Sequence, residues 1–348
     1  MAHQQGREQS MSDQPTLEQL LRDARAAIEV SDEELVEART RRSAIIKCLE
    51  SEFAGSRSYV NGSVAHGDAL SPLSDVDLGV VVPDPDRQYS PAGDGPGALI
   101  ERAAQAIREG LKEQYEDLQV EYKNRRRSIL VRFRDPVTPG AQDFTADVIV
   151  AVDYPQGDGL YIPKDDSWDR SHPEEHTRLV LRAIKDTDSV FARVVRLVKH
   201  WNKHHKEPLC SWNIKALALG CLSGPMTELE GLAAWYEYAA AELVDRETPD
   251  PTGVAPGPIK TNLDKDEVVK RLKRACTHLQ SAIAHEKDGH PVQAHDELSK
   301  WLGDPETLPP PLAEDVYAEI AADKRARQNL GVGRAAPFVP TKSWRLES

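Results

Sequence analysis

The sequence predicts an α+β protein: an α/β domain over residues 53–165, then an all-helical domain over 166–330. Three observations carry this. Short strand-like apolar runs fall before about residue 165, at 58–60, 75–82, 118–122, 128–133 and 145–152. After Tyr161-Ile162-Pro163 the strands are expected to stop, and apolar residues recur at helical steps of three and four. The length of 348 residues fits about two domains, at roughly 150 residues each.

Taken in order, residues 1–14 are polar and expected to be disordered. Residues 15–52 form a helical lead-in. Leu17, Leu20, Leu21, Ala24, Ala27 and Ile28 share a helical face, and Ser31 with Glu34 forms a capping box opening a second helix. Ser58-Tyr59-Val60 is a strand and Asn61-Gly62-Ser63 a turn. Asp75 to Val82 is a strand that becomes continuously apolar. The Pro/Gly/Asp-rich stretch 83–97 is a loop, and 98–116 a helix. In the strand 128–133, Ile129, Val131 and Phe133 alternate with Arg132 and Arg134. The later helices are expected at 173–186, 188–205, 212–223, 227–245, 265–288, 291–302 and 312–329, with a Pro/Gly loop at 246–262. Residues 331–348 read as a tail.

Composition excludes several classes. Lys plus Arg is 44 and Asp plus Glu is 57, for a net charge of −13. Affinity for phosphate backbones comes mainly from Lys and Arg, so no extended nucleic-acid partner is expected, although a local basic cleft is compatible. No apolar run reaches the ~18 residues of a transmembrane helix, and the first residues lack the apolar core of a signal peptide. The four cysteines (Cys48, Cys210, Cys221, Cys276) form no CxxC pair and read as reduced thiols, hence a cytoplasmic protein.

The chemistry centres on Gly62-Ser63 followed by Asp75-Val76-Asp77. Carboxylates at i and i+2 of a strand share one face and repel each other, so they call for a hard cation such as Mg²⁺. A Gly-Ser turn nearby offers N–H and hydroxyl groups to a phosphate. A third carboxylate completes a two-metal site, and Asp147, heading the strand Asp147-Val148-Ile149-Val150-Ala151-Val152, is the candidate. Asp143 and Asp153 are rivals, and Asp153 has the same strand parity as Asp147.

These residues resemble the signature of the DNA polymerase β-type nucleotidyltransferase superfamily. Within it the chain is similar to the bacterial cGAS/DncV-like nucleotidyltransferases (CD-NTases) of CBASS antiphage defence. The segments YIPKDDSWDRSHPEEH (161–176), RVVRLVKHWNKHHKEPLCSWNIKALAL (193–219) and AHDELSKWLGD (294–304) extend the likeness, which spans about residues 55–305. Asp68 after Gly67 departs from the Thr common in the family, Val150 from Pro, and Ser211-Trp212 from Ser-Tyr. The resemblance implies a polymerase β-like α/β domain with a helical domain closing a nucleotide cleft. It implies two Mg²⁺ ions, or Mn²⁺ in their place, on Asp75, Asp77 and Asp147. It implies nucleotide contacts from Gly62, Ser63, Lys199, Ser211 and Trp212, with Trp212 either stacked on a base or part of the core. ATP, GTP or other nucleoside triphosphates would be joined into a cyclic di- or oligonucleotide with release of pyrophosphate, and accessory CBASS proteins would act on the C-terminus. The alternatives are a linear RNA- or tRNA-tailing enzyme and a silent sensor or antitoxin of the same fold.

Three basic or ligand-bearing groups complete the reading. Arg193, Arg196, Lys199 or His200, and Lys203 form a stripe opposite the apolar face of Phe191, Val194, Val195, Val198 and Trp201. It is either a triphosphate clamp or a solvated face. Lys123, Arg125, Arg126 and Arg127, next to Arg132 and Arg134, are expected at a surface hairpin connection, the alternative being an approach to a nucleotide or a regulatory ligand. His200, His204, His205 and Cys210 raise the question of zinc, against which stands the surrounding positive charge.

Overall fold

A computed structural model describes residues 14–329. The expected disordered start, residue 14 apart, and the expected tail lie outside the described residues. Helix α1 spans Leu17–Ala27 and α2 spans Asp32–Glu52; Thr16 with Gln19 and Ser31 with Glu34 close a capping box at each start. The chain continues through β1 (Arg57–Val60), α3 (Gly62–Ala65), β2 (Asp75–Val81), α4 (Gly95–Leu111), β3 (Gln119–Glu121) and β4 (Ile129–Arg132). There follow β5 (Thr145–Asp153), β6 (Leu160–Lys164) and β7 (Ser167–Ser171). The rest is α5 (Pro173–Asp186), α6 (Val190–His204), α7 (Ser211–Cys221), α8 (Glu228–Asp245), α9 (Lys265–Lys287), α10 (Pro291–Leu302) and α11 (Ala313–Asn329).

Three departures from the sequence reading have physical reasons. The turn at Asn61-Gly62-Ser63 is the start of a single helical turn, α3, with Asn61 at its N-cap. Helix α4 begins at Gly95 rather than Ala98, because Pro96 suits a first helical turn, where its missing N–H costs nothing. The strands do not stop at Pro163: β7 pairs antiparallel with β6, Tyr161 opposite Arg170. Its sequence, Ser-Trp-Asp-Arg-Ser, is polar, so no apolar alternation marks it. Trp168 anchors it by packing on the sheet core and donating its indole N–H to the Tyr89 carbonyl at 3.0 Å.

The sheet runs β1-β2-β5-β4-β3, with β6 and β7 continuing from β5. Strands β2 and β5 are parallel neighbours at its centre; the other pairs are antiparallel. Side chains alternate across a strand. Leu78 and Val80 of β2 and Ala146, Val148, Val150 and Val152 of β5 therefore fill one face, against α2 and α4. The opposite face carries Asp75 and Asp77, then Gly79, over which the Tyr59 ring lies so closely that a Cβ there would sit 1.9 Å from it. The helical core holds Phe191, Val194, Val195, Val198 and Trp201 of α6, all at most 1 % exposed. Each contributes about 1.5–3 kcal/mol by leaving water. The lead-in joins both cores. Leu17, Leu20, Leu21 and Ala24 of α1 pack among the helices, while Ile45 and Leu49 of α2 pack under the sheet.

Candidate active site

Asp75 and Asp77 open β2, and the register sets Asp77 beside Asp147 of β5, with Asp75 beside Thr145. All three aspartates lie at one end of the two central strands and on the face that β2 and β5 leave uncovered by α2 and α4. Gly62 lies against Asp77. Its φ is +80°, and a Cβ there would fall 1.9 Å from Asp77 Oδ2. Both the left-handed backbone and the close approach demand glycine. The Gly62 N–H is already taken by Asn61 Oδ1 at 2.7 Å.

Asp75 and Asp77, but not Asp147, line a cleft of about 440 Å³ whose walls also include Gly62, Ser63, Lys199, Lys203, Ser211 and Lys215. Burial, and then the charges of Asp75 and Asp147, push the Asp77 carboxyl up to about 6. Asp147 has turned to other partners: Arg125 donates to its Oδ1 at 2.7 Å and Ser128 Oγ at 3.1 Å. The three aspartates do not bring their oxygens together within 4.8 Å; among the described residues only His200, His204 and Asp304 gather three ligand atoms that tightly. Asp75 and Asp77, half-buried and crowded on one face of β2, are oxygen ligands of the kind a hard cation takes, and Asp147 would have to leave Arg125 to join them.

The other candidates separate clearly. Asp143 binds the buried Arg41 at 2.7 Å, on a guanidinium that also lies over Phe133 and Phe144. Asp153 forms an exposed pair with Arg57 at 2.7 Å, at the far end of β5. Ser211 lines the cleft. Trp212, beside it in sequence, turns into an adjacent hollow with Arg127, Lys164 and Asp250, its ring 4.2 Å from that of His176. The structure thus parts two residues that the resemblance grouped. The basic stripe of α6 is parted too. Arg196 pairs with Glu29 and donates to the Gly67 carbonyl, and Arg193 pairs with Glu228. Lys199 and Lys203 remain at the cleft, and Lys199 donates to the Asp68 carboxylate at 3.0 Å. A four-residue clamp on this helix is therefore not what the structure holds.

The hairpin cluster lies between β3 and β4, where Arg126 pairs with Asp165, Arg127 with Asp169, and Arg125 reaches Asp147. His205 stacks on Trp201 and Cys210 meets Asn213, so neither joins His200 and His204. Sequence reasoning missed Lys215 as a cleft residue and Asp68 as its counter-charge. The available signal for Lys215 was one lysine inside the apolar run Ile214-Lys215-Ala216-Leu217-Ala218.

Comparisons with known proteins bear on the fold. The chain superposes on E. coli MS115-1 CdnC, solved with ATP, at TM-score 0.64 and 17% identity, covering 83% of this chain and 97% of that one. The Bradyrhizobium diazoefficiens CD-NTase CdnG, solved with GTP, gives TM-score 0.61 at 14% identity, covering 87% and 97%. Vibrio cholerae DncV, a cyclic AMP-GMP synthase, gives 0.53 at 16%, covering 75% and 71%. At these identities the likeness is one of fold. None of the curated protein sequences matches the chain. No described helix is long and apolar enough to cross a membrane. The nucleotidyltransferase domain model matches residues 42–215, half of the chain and the stretch that holds the three aspartates, Gly62 and the cleft lysines. The chain belongs to the nucleotidyltransferase domain family.

Proposed function

We propose that this protein joins nucleoside triphosphates and closes the product into a cyclic di- or oligonucleotide, releasing pyrophosphate at each step. One observation carries the reading: Asp75, Asp77 and Asp147 share one face of the central strands, with Asp77 raised to about 6, beside a cleft walled by Lys199, Lys203 and Lys215. Mg²⁺ on the three aspartates would supply charge neutralisation of the triphosphate and of the developing alkoxide. The cleft lysines meet the phosphate charge. Ser63 and Ser211 both line the cleft, where their hydroxyls can donate to phosphate oxygens. Asp147 keeps 28 % of its side chain exposed and is the acceptor we assign for the ribose hydroxyl proton. The hydroxyl oxygen then attacks the α-phosphorus, the bond to the β-phosphate oxygen breaks, and pyrophosphate leaves. Catalysis is positioning and charge compensation.

The fold shared with DncV, a cyclic AMP-GMP synthase, supports cyclic rather than linear products, and the sequence resemblance to CD-NTases extends the reading to antiphage signalling. CdnC is also known in complex with a HORMA protein, which supports an accessory partner for this chain. A charge of −13 favours small nucleotides over an RNA track. The test is thin-layer separation of products from labelled ATP and GTP with Mg²⁺. Label that resists phosphatase is expected. A phosphatase-sensitive ladder supports tailing, and no turnover supports a silent sensor.

A further inference from the structure

Asp68 is fully buried, at 0 % exposure, in the connection between α3 and β2. A carboxylate removed from water is costly unless cations and donors surround it. Two lysines from two different helices do so. Lys199 of α6 donates to Asp68 Oδ1 and to its backbone carbonyl, both at 3.0 Å. Lys215 of α7 sits 3.0 Å from Oδ2 and 2.8 Å from His66 Nδ1. That last contact fixes the His66 tautomer: Nδ1 accepts, so Nε2 carries the proton toward Thr177 Oγ at 3.2 Å, and Thr177 donates on to the Val60 carbonyl at 3.1 Å. Each ammonium has three N–H groups; Lys199 spends two on Asp68, whereas Lys215 spends one on His66 Nδ1 and meets Asp68 Oδ2 by charge, that oxygen being buried with no hydrogen bond. Both lysines also line the cleft beside Gly62, Ser63, Asp75 and Asp77.

We propose that Asp68 is a positioning residue that holds the Lys199 and Lys215 ammonium groups at the cleft wall, each with at least one N–H left for an oxygen of the triphosphate. The proposal rests on the reading of this cleft as a triphosphate site. Lys215 is the more dependent of the two, being only 4 % exposed. Burial pushes its proton off, and Lys199 adds to this; Asp68 and, more weakly, Asp77 hold the proton on. His66, the remaining titratable neighbour, is held neutral, pushed down to about 3 by burial and by Lys215. The net direction for Lys215 is down, and the buried aspartate is the largest influence that opposes it.

The experiment is calorimetric titration of MgATP and MgGTP into wild type, Asp68→Asn, Lys215→Met and the double variant Asp68→Asn/Lys215→Met, from about pH 6.5 to 9. Relative to wild type at the same pH, Asp68→Asn is expected to bind at least about tenfold more weakly at the alkaline end and to recover toward the acidic end, as Lys215 regains its proton. Lys215→Met and the double variant should be at least about tenfold weaker throughout, without pH dependence. A folded Asp68→Asn protein that binds like wild type, or more tightly, at every pH overturns the proposal. Should Asp68→Asn not fold, the double variant, which buries neither charge, decides: wild-type affinity there overturns it. A wild-type protein that binds neither nucleotide overturns the reading of the cleft itself, which the variants alone do not touch.

Discussion

Replacing Asp77 by Asn should kill turnover and stabilise the fold. The carboxyl rises from its ordinary 3.8 to about 6, through burial first and then through Asp75 and Asp147. A folded-state value above the unfolded one means that ionising the group costs the native state more than the unfolded chain. That rise corresponds to about 3 kcal/mol at neutral pH, a penalty that asparagine of nearly the same shape does not carry. The gain should be absent below about pH 4, where both states are protonated, grow between pH 4 and 6, and stay level above. Urea denaturation of wild type and variant across that range measures it, and pyrophosphate release measures turnover. Equal stabilities at pH 5 and pH 8, or a variant less stable than wild type at neutral pH, would refute the crowded-carboxylate account. Turnover within a few-fold of wild type would refute the place of Asp77 in the chemistry.

The other variants separate site from scaffold. Asp147→Asn should abolish pyrophosphate release with little loss of stability. Asp143→Asn should leave turnover intact but cost about 3 kcal/mol in a denaturant melt, because Arg41 loses a buried partner. Asp153→Asn should change stability by less than about 1 kcal/mol, its pair being exposed, and leave pyrophosphate release unchanged. A dead Asp153→Asn with an active Asp147→Asn would reverse the assignment. Gly62→Ala should cost about 1–2 kcal/mol in thermal unfolding for its left-handed backbone. It should also lower turnover about a hundredfold by displacing the Asp77 carboxylate, and unaltered turnover would show that Asp77 can move without consequence. Arg125→Ala removes the cation that Asp147 now holds, so half-maximal activity should need up to about fivefold less Mg²⁺. An unchanged Mg²⁺ requirement would mean that Arg125 does not compete for that carboxylate.

Much of the fold was legible because its elements advertise themselves locally. The helix Pro291–Leu302 carries apolar residues at helical steps and ends at Gly303, and Ser31 with Glu34 marks a helix start that the backbone then uses. Strand parity alone was enough to set Asp75 and Asp77 on one face. The third carboxylate was harder, since Asp147 and Asp153 share parity and only the length of β5 separates them, one at each end of the central pair. What escaped is non-local or polar. Strand β7 has no apolar alternation to display. Asp68 finds its partners 131 and 147 residues further on, in Lys199 and Lys215, and no spacing rule reaches that far. The basic stripe along α6 gave no sign that Arg196 is spent on Glu29 of the lead-in. Charge on a helix face says that cations are present, and packing against another element decides which of them stay free.

The central claim is that the aspartate face and the lysine wall form one machine that condenses nucleoside triphosphates into a ring. Mass spectrometry of the products from an equimolar ATP, GTP, CTP and UTP mixture with Mg²⁺ tests it most directly, with Asp75→Asn/Asp77→Asn protein as the blank. The account predicts pyrophosphate together with a cyclic oligonucleotide lacking any terminal phosphate, both missing from the blank. Linear chains that keep a 5′ triphosphate, or products equally abundant in the blank, would contradict it.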